Sequence, residues 1–387
     1  MFEDIIKAAQ EGSSSRIKEA ASGEEGKTKT PAAPTKETAN IITGEIQSKD
    51  GPASEEDMQN DRIRISVIGV GGAGCNCINR LANSGIKSAR AIAINTDGKH
   101  LNMINAHKKI LIGKNITRGL GAGGDMNVAR KCAEADRDFL KGVIGENELI
   151  FITAGMGGGT GGGAAPIVAQ IAKEQGAIVV AMVTYPFALE RVRLKKAQEA
   201  IQALVKVCDT VVVIDNNRLS NYVPNLPIDK AFEMVDSITT RAVTGIADTI
   251  MFPSLINVDF ADVKAVMKDG GVSLISLGEA SGVNRVDEVV KDTLEHPLLD
   301  VGYEGAKGCL IHIEGGPDLT LGDAIKTGEK LTESFDADAD IKVGARILPD
   351  TRDKIRVTAI ITGVKSPYIL RQQTPQLAPA EETLQYL

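Results

Sequence analysis

The sequence contains no tryptophan, and aromatic residues make up only 3% of it, so it offers few rings for the stacking platforms that hold single-stranded nucleic acid. It also lacks a positive excess. The formal net charge is -7, whereas a chain that grips a phosphate backbone normally carries a basic face or stripe. No nucleic-acid partner is expected. No apolar run approaches the ~18 residues that suggest a membrane span, and the start, MFEDIIKAAQ, lacks the charged-then-apolar layout of a signal peptide. A cytoplasmic protein without a direct membrane span is expected. The five cysteines, Cys75, Cys77, Cys132, Cys208 and Cys309, are odd in number and form no CxxC knuckles. Reduced, buried thiols are therefore expected, with neither a disulfide framework nor a metal site.

With 387 residues, 43% of them hydrophobic, the chain can bury a sizeable core, and its length favours two domains plus tails. Residues 1–61 are expected to be a disordered N-terminal arm, rich in Ser, Glu, Lys, Thr, Ala and Pro, with too few large apolar side chains to offset the entropy of folding. At its start Phe2, Ile5, Ile6 and Ala9 fall at helical spacing, compatible with a docking helix or with a fraying one. Residues 366–387 form a C-terminal tail that holds three prolines and ends in Leu384-Gln385-Tyr386-Leu387, a linker finishing in a peptide handle.

Between these arms β-branched runs recur at Ile63–Gly69, Ala91–Asn95, Lys109–Ile112, Leu149–Thr153, Ile178–Val183 and Thr210–Ile214, mostly separated by helix-length segments. Such alternation predicts an α/β fold, a Rossmann-like domain with a parallel, helix-covered sheet over 62–226, whose strand C-terminal ends form the ligand edge. A long central helix follows in 227–254, with Ile228, Ala231, Phe232, Val235, Ile238 and Ala242 along one face. A smaller α+β C-terminal domain fills 255–365, where Glu279 and Glu304 are expected on a solvated face.

Two glycine-rich turns carry the chemistry. Gly69-Val70-Gly71-Gly72-Ala73-Gly74 follows a strand and opens a helix, and Asp97 lies about 20 residues on, the dinucleotide pattern. Its physical content is narrower: glycines let backbone N–H groups approach phosphate oxygens, and a helix N-terminus adds partial positive charge. Alone it also fits a structural tight turn. The second turn is more specific. After the strand at Leu149 come Gly157-Gly158-Gly159-Thr160-Gly161-Gly162-Gly163, then a helix expected from about Ala164. Six glycines there make a wall of unhindered amides for a polyanion, with the Thr160 hydroxyl as one more donor. The turn has no lysine and is not a Walker loop.

These motifs make the chain resemble the tubulin/FtsZ superfamily, and FtsZ closely, from about Arg62 to Val364. The signature GGGTGTG is matched over Gly157–Gly163 except that Gly162 stands for its second Thr. The resemblance implies that Gly71, Gly72, Ala73, Gly74, Cys75 and Asn76 form a first phosphate loop, that Asn95 and Asp97 belong to the next nucleotide loop, and that Gly158, Gly159, Thr160 and Gly161 hold phosphate. It also implies that Ala122, Gly123 and Gly124 lie in a loop that senses the γ-phosphate, where Asp125 replaces the more usual Asn. In the family a Glu and an Arg after a Pro-Phe dipeptide contact ribose and phosphate. Here Glu190 and Arg193 follow Pro186-Phe187, one residue closer together. Family members stack guanine on a helix Phe and read it with an Asn or Asp oxygen, roles that the resemblance gives to Phe232 and to Asn217 with Asn216 beside it. For Phe232, ordinary packing on a helix face explains the position equally well.

Asn257-Val258-Asp259-Phe260-Ala261-Asp262 matches the FtsZ NxDxxD loop, although helix capping alone would account for Asp259 and Asp262. The resemblance makes Asn257, Asp259 and Asp262 catalytic, entering the next subunit's pocket to orient water, with GTP/GDP and Mg2+ as cofactors. It implies a head-to-tail homopolymer with GTPase activity at the mid-cell division ring, co-assembly with a paralogue left open, and a membrane-tethering partner for the tail. Two alternatives stand beside it: a GTP-binding scaffold with weak hydrolysis, suggested by Gly162 and the Glu190–Arg193 spacing, and a nicotinamide oxidoreductase resting on Gly69–Gly74 alone.

Overall fold

The computed structural model describes residues 45–46, 63–218, 225–252 and, with short interruptions, 254–364. The expectations for Phe2 to Ala9, for Asn257 and Glu304, and for the tail from 366 lie outside these residues. The strands are β1 (Glu45–Ile46), β2 (Ile65–Val70), β3 (Arg90–Asn95), β4 (Lys108–Leu111), β5 (Leu149–Gly155), β6 (Ile178–Tyr185), β7 (Thr210–Asp215), β8 (Gly271–Ser281), β9 (Gly308–Gly315), β10 (Asp340–Ile347) and β11 (Lys354–Thr362). The helices are α1 (Gly71–Asn83), α2 (Gly98–Met103), α3 (Lys114–Thr117), α4 (Met126–Ala135), α5 (Arg137–Ile144), α6 (Gly159–Glu174), α7 (Arg191–Val205), α8 (Ile228–Met251), α9 (Phe260–Met267), α10 (Arg285–Leu294) and α11 (Leu321–Thr332).

Strands β2 to β7 are parallel and lie in the order β4-β3-β2-β5-β6-β7. The chain runs outward in one direction from β2 and then resumes on its other side with β5, which puts the topological switch point, and hence the expected ligand crevice, between these two strands. Period-2 alternation gives the sheet two apolar faces. Val67 and Phe151 enter one core with α1 and α8, while Ile68, Ile150 and Ile152 enter the other with α6. Within the segment expected to be a disordered arm, Glu45–Ile46 pairs antiparallel with the edge strand β4, Glu45 opposite Ile110. An edge strand presents unpaired backbone groups, and two residues suffice to meet some of them.

The second domain packs β11 antiparallel between β8 and β9, with β10 parallel to β9. Strands β7 and β8 pair through Thr210–Gly271 and Val211–Val272, so the strand order is continuous across both domains. Helix α8 is the bridge. Met234, Val235, Ile238, Ala242, Val243, Ile246 and Ala247 are its buried face, joined in one core to Ile275, Leu277, Leu310 and Ile360. Phe232, expected on that face, is instead 42% exposed. Glu279 also departs from expectation. Its carboxylate is largely buried and meets Arg241 of α8 and Arg356 of β11, each at 3.4 Å, and Lys354 at 3.6 Å. Three cations from two elements are enough to hold a carboxylate out of water.

Candidate nucleotide-binding site

The glycine turns after β2 and β5 emerge side by side, since Val70 pairs with Ala154. Helix α6 begins at Gly159, five residues earlier than expected, so most of the glycine run is helix and not loop. Neither α1 nor α6 has a side-chain N-cap. Their first-turn N–H groups therefore lack an internal partner, and both helix dipoles point their positive ends into the crevice. The two ends touch. A Cβ on Gly71, which sits at φ +76°, would lie 2.8 Å from Gly161 N, and one on Gly155 would lie 2.7 Å from Ala73 Cβ. Gly72 is exposed with open space where a side chain would stand. Gly69 and Gly74 serve packing: a Cβ on Gly74 would stand 2.3 Å from Thr153 O.

Side chains from α1, β3, α2 and α6 frame this cradle. Cys75 is buried and directed toward Gly69 O and Ile94 O, so only its backbone faces the site. Burial pushes its thiol up to about 12, as it does for Cys77, Cys208 and Cys309. All five cysteines are free and buried. Asn76 Oδ1 lies 3.0 Å from His100 Nε2, and His100 Nδ1 lies 3.3 Å from Asn95 Nδ2. Asn95 Oδ1 accepts from Thr96 N at 2.8 Å. An imidazole with its proton on Nε2 satisfies both contacts and turns the Asn76 amide nitrogen outward. Asp97 caps α2, accepting from Lys99 N and His100 N through Oδ1. The Thr160 hydroxyl lies 2.7 Å from that of buried Thr96, which can donate to it and leave the Thr160 proton for a ligand.

A third loop, from Gly119 to Gly124, closes the side over β3 and β4. Gly98 N donates to Gly119 O, and Gly121 N to Thr96 O. A Cβ on Gly159 would fall 2.9 Å from Asp125 N and 3.1 Å from Ala122 Cβ. Asp125 caps α4 through Oδ1. Gly162, the departure from the family signature, faces Met126 and Ala200 on the packed side of α6 and not the cradle. Gly157, at φ +88°, rests on Arg193. Glu190 accepts from Phe187 N and forms an ion pair with Arg193.

On the other side, over β6 and β7, the expected base-reading residues exchange places. Asn217 is fully engaged: its Oδ1 accepts from Ala188 N at 2.6 Å, and its Nδ2 donates to Asp215 Oδ1 and Pro186 O. Asn216 Oδ1, in contrast, is a buried acceptor without a partner among the described residues. Phe232 meets Phe187 edge-on, centroids 6.2 Å apart. The site thus runs along one sheet edge, from Asn216 and Phe232 over β6–β7, across the cradle at β2–β5, to the third loop at β3–β4.

Asp259 and Asp262 are not in it. They form a capping box at the start of α9, and Asp262 Oδ1 also meets Lys342 at 3.4 Å. Phe260 and Lys264 of α9 line a groove with Arg64, Glu146, Glu148 and Gln175, at the N-terminal ends of β2, β5 and β6. With β5 seven residues long, the two edges stand about 20 Å apart. Among the described residues no three His, Cys, Asp or Glu side chains converge as a metal cage.

Residues 64–224 match the family model for the tubulin/FtsZ family GTPase domain, and residues 271–365 match that for the FtsZ family C-terminal domain. Cell division protein FtsZ 2 of Methanocaldococcus jannaschii is 57% identical over 314 residues, 80% of this chain and 83% of the relative. Cell division protein FtsZ 2 of Halobacterium salinarum is 52% identical over 315 residues, 81% of this chain and 80% of the relative. A solved empty FtsZ dimer from M. jannaschii superposes with a TM-score of 0.75 at 45% identity, covering 80% of this chain and 90% of that one. The oxidoreductase alternative falls with these matches, and Asp97, which it needs as a ribose acceptor, caps a helix instead. From the uncapped glycine helix ends to the second-domain sheet, the chain belongs to the FtsZ family of cell division proteins, with a tubulin-like GTPase domain.

Proposed function

We propose that this chain assembles head to tail and hydrolyses GTP where the glycine cradle of one subunit meets Asp259 and Asp262 of the next. The observation that carries this is the placement of the two halves on opposite edges of one sheet, about 20 Å apart, which a single chain cannot bridge. A contact between unlike faces does not close on itself and extends into a filament. Exposed Leu120, Leu189 and Val192 border the cradle, as suits a face that a second copy covers. A relative solved as a dimer supports self-association.

Within the cradle, the free amides of Gly71, Gly72 and Ala73 and of Gly158–Gly161 bind phosphate, and Thr160 adds a hydroxyl. Asn216 Oδ1 accepts from guanine N1 and N2 hydrogens, which adenine does not offer, while Phe232 stacks on the ring. The donor set suits a Mg2+ carried mainly by phosphate oxygens and water, with the second carboxylate oxygens of Asp97 and Asp125 nearby, and does not suit a protein-caged ion. When bound, Mg2+ supplies charge neutralisation at the phosphates. In the capping box Asp259 accepts through Oδ1, and Asp262 uses Oδ2 on Asp259 N and Oδ1 on Lys342. Asp259 Oδ2 is thus the oxygen best placed to orient water, and catalysis is positioning plus electrostatics. Asn257 belongs to the same segment.

Mixing tests this. Copies carrying Gly72→Asp put a carboxylate in the cradle, and copies carrying Asp259→Ala with Asp262→Ala lack the partner loop. Each should be nearly inactive alone, and a mixture should regain GTP turnover. A mixture as inactive as its parts would end the proposal. A filament scaffold with weak hydrolysis is the second reading, favoured by one observation: Glu190 neutralises Arg193 rather than leaving it for phosphate. Filaments would then sediment while the mixture stays inactive. The cellular role we assign is a cytoplasmic one at the mid-cell division ring, with the tail's Leu384–Leu387 engaging a membrane-tethering partner and a paralogue able to co-assemble.

A further inference from the structure

Among the described residues the Gly119–Gly124 loop is tied to the β3–α2 connection through its first half, by Gly98 N to Gly119 O at 3.0 Å and Gly121 N to Thr96 O at 3.1 Å. The second half is less constrained. Gly123 and Gly124 take φ +59° and +77° with open space where side chains would stand. Among the described residues a single side chain donates to this loop: Lys196 of α7, whose Nζ lies 2.6 Å from Gly124 O. That carbonyl precedes the Asp125 amide, which abuts Gly159 at the uncapped start of α6. Lys196 therefore pins the loop where it meets the cradle.

The order along the sheet edge says which part of a ligand feels this. With its base over β6–β7 and its phosphates across β2–β5, a nucleotide directs its outermost phosphate toward β3–β4 and this loop. A triphosphate reaches further along that line than a diphosphate does. We propose that Lys196 is a positioning residue that sets the preference of the site for GTP over GDP, by holding the loop amides in place before the terminal phosphate arrives. Ordering the loop in advance removes part of the entropy cost of binding. A lysine ammonium also raises the local potential for a dianionic terminal phosphate. The inference rests on the nucleotide reading above.

The test is calorimetric titration of the full chain with GDP and with GTPγS at fixed Mg2+, for the wild type, Lys196→Met and Lys196→Arg. Lys196→Met should weaken GTPγS binding by about tenfold, the worth of one charge-assisted hydrogen bond, and leave GDP within about twofold. Lys196→Arg should recover most of the loss, which a merely structural contact on α7 would not distinguish between the two nucleotides. Equal loss for both ligands, or loss for neither, would overturn the proposal while leaving the nucleotide site intact. A wild type that binds neither nucleotide would overturn both.

Discussion

His100 joins Asn76 of α1 to Asn95 of β3 through its two ring nitrogens. It needs an acceptor at one and a donor at the other, and glutamine offers the same pair. His100→Gln should therefore hold GTP affinity near that of wild type, whereas His100→Leu should weaken it roughly 5- to 10-fold, the cost of one misdirected amide, as read by nucleotide titration. Equal behaviour of the two variants would mean that the relay does not orient Asn76. His100 carries no motif signal in the sequence, and its role comes from α2 being capped by Asp97 so that the ring faces α1. The exchange between Asn216 and Asn217 was equally hidden. Which neighbour keeps a free oxygen depends on the Pro186–Ala188 turn, whose backbone takes up Asn217. Glycine positions were legible because a strand, a glycine run and a helix in succession leave little else to build. The start of α6 was not, because low helix propensity hides a helix whose packing requires glycine.

At the scale of elements, α6 separates two kinds of glycine. A Cβ on Gly163 would lie 2.1 Å from the backbone oxygen of Met126, whereas one on Gly162 would meet the movable Met126 side chain at 3.1 Å. Chemical denaturation should show Gly163→Ala destabilised by roughly 2–4 kcal/mol, and Gly162→Ala within about 1 kcal/mol of wild type, the helix-propensity gain offsetting the contact. Nucleotide affinity should be kept in Gly162→Ala, so the Thr missing at this position concerns packing. Helix α8 carries a pH-dependent element. Burial raises the Asp236 carboxyl from 3.8 to about 6, against the opposing pull of Arg80, whose Nη2 lies 3.6 Å away. The folded state favours the protonated form, so this contribution is fully present below about pH 4 and is lost as pH rises through about 6. Asp236→Asn should raise stability at pH 8 by on the order of 2 kcal/mol and flatten the stability profile between pH 4 and 6. An unchanged profile would contradict the assignment. The role of Glu279 was out of reach of the sequence, since Arg241 lies far from Arg356 along the chain and only the packing of α8 on β11 brings them together.

For the whole molecule, the parallel sheet, the long helix and the second domain follow from strand runs spaced by helix-length segments, and the polarity of the sheet follows from where the glycines fall. The separation of the two proposed half-sites is a property of no single motif. It arises because the glycine turns end their strands while α9 packs beneath the beginnings of the same strands, which leaves unlike faces at the two ends of the chain. The most direct measurement is GTP turnover per molecule across protein concentration, with light scattering in parallel. Turnover should vanish on dilution, rise together with assembly, and be lost in Asp259→Ala/Asp262→Ala while GTP binding is kept. Turnover per molecule that stays constant down to dilutions without assembly would contradict a site shared between subunits.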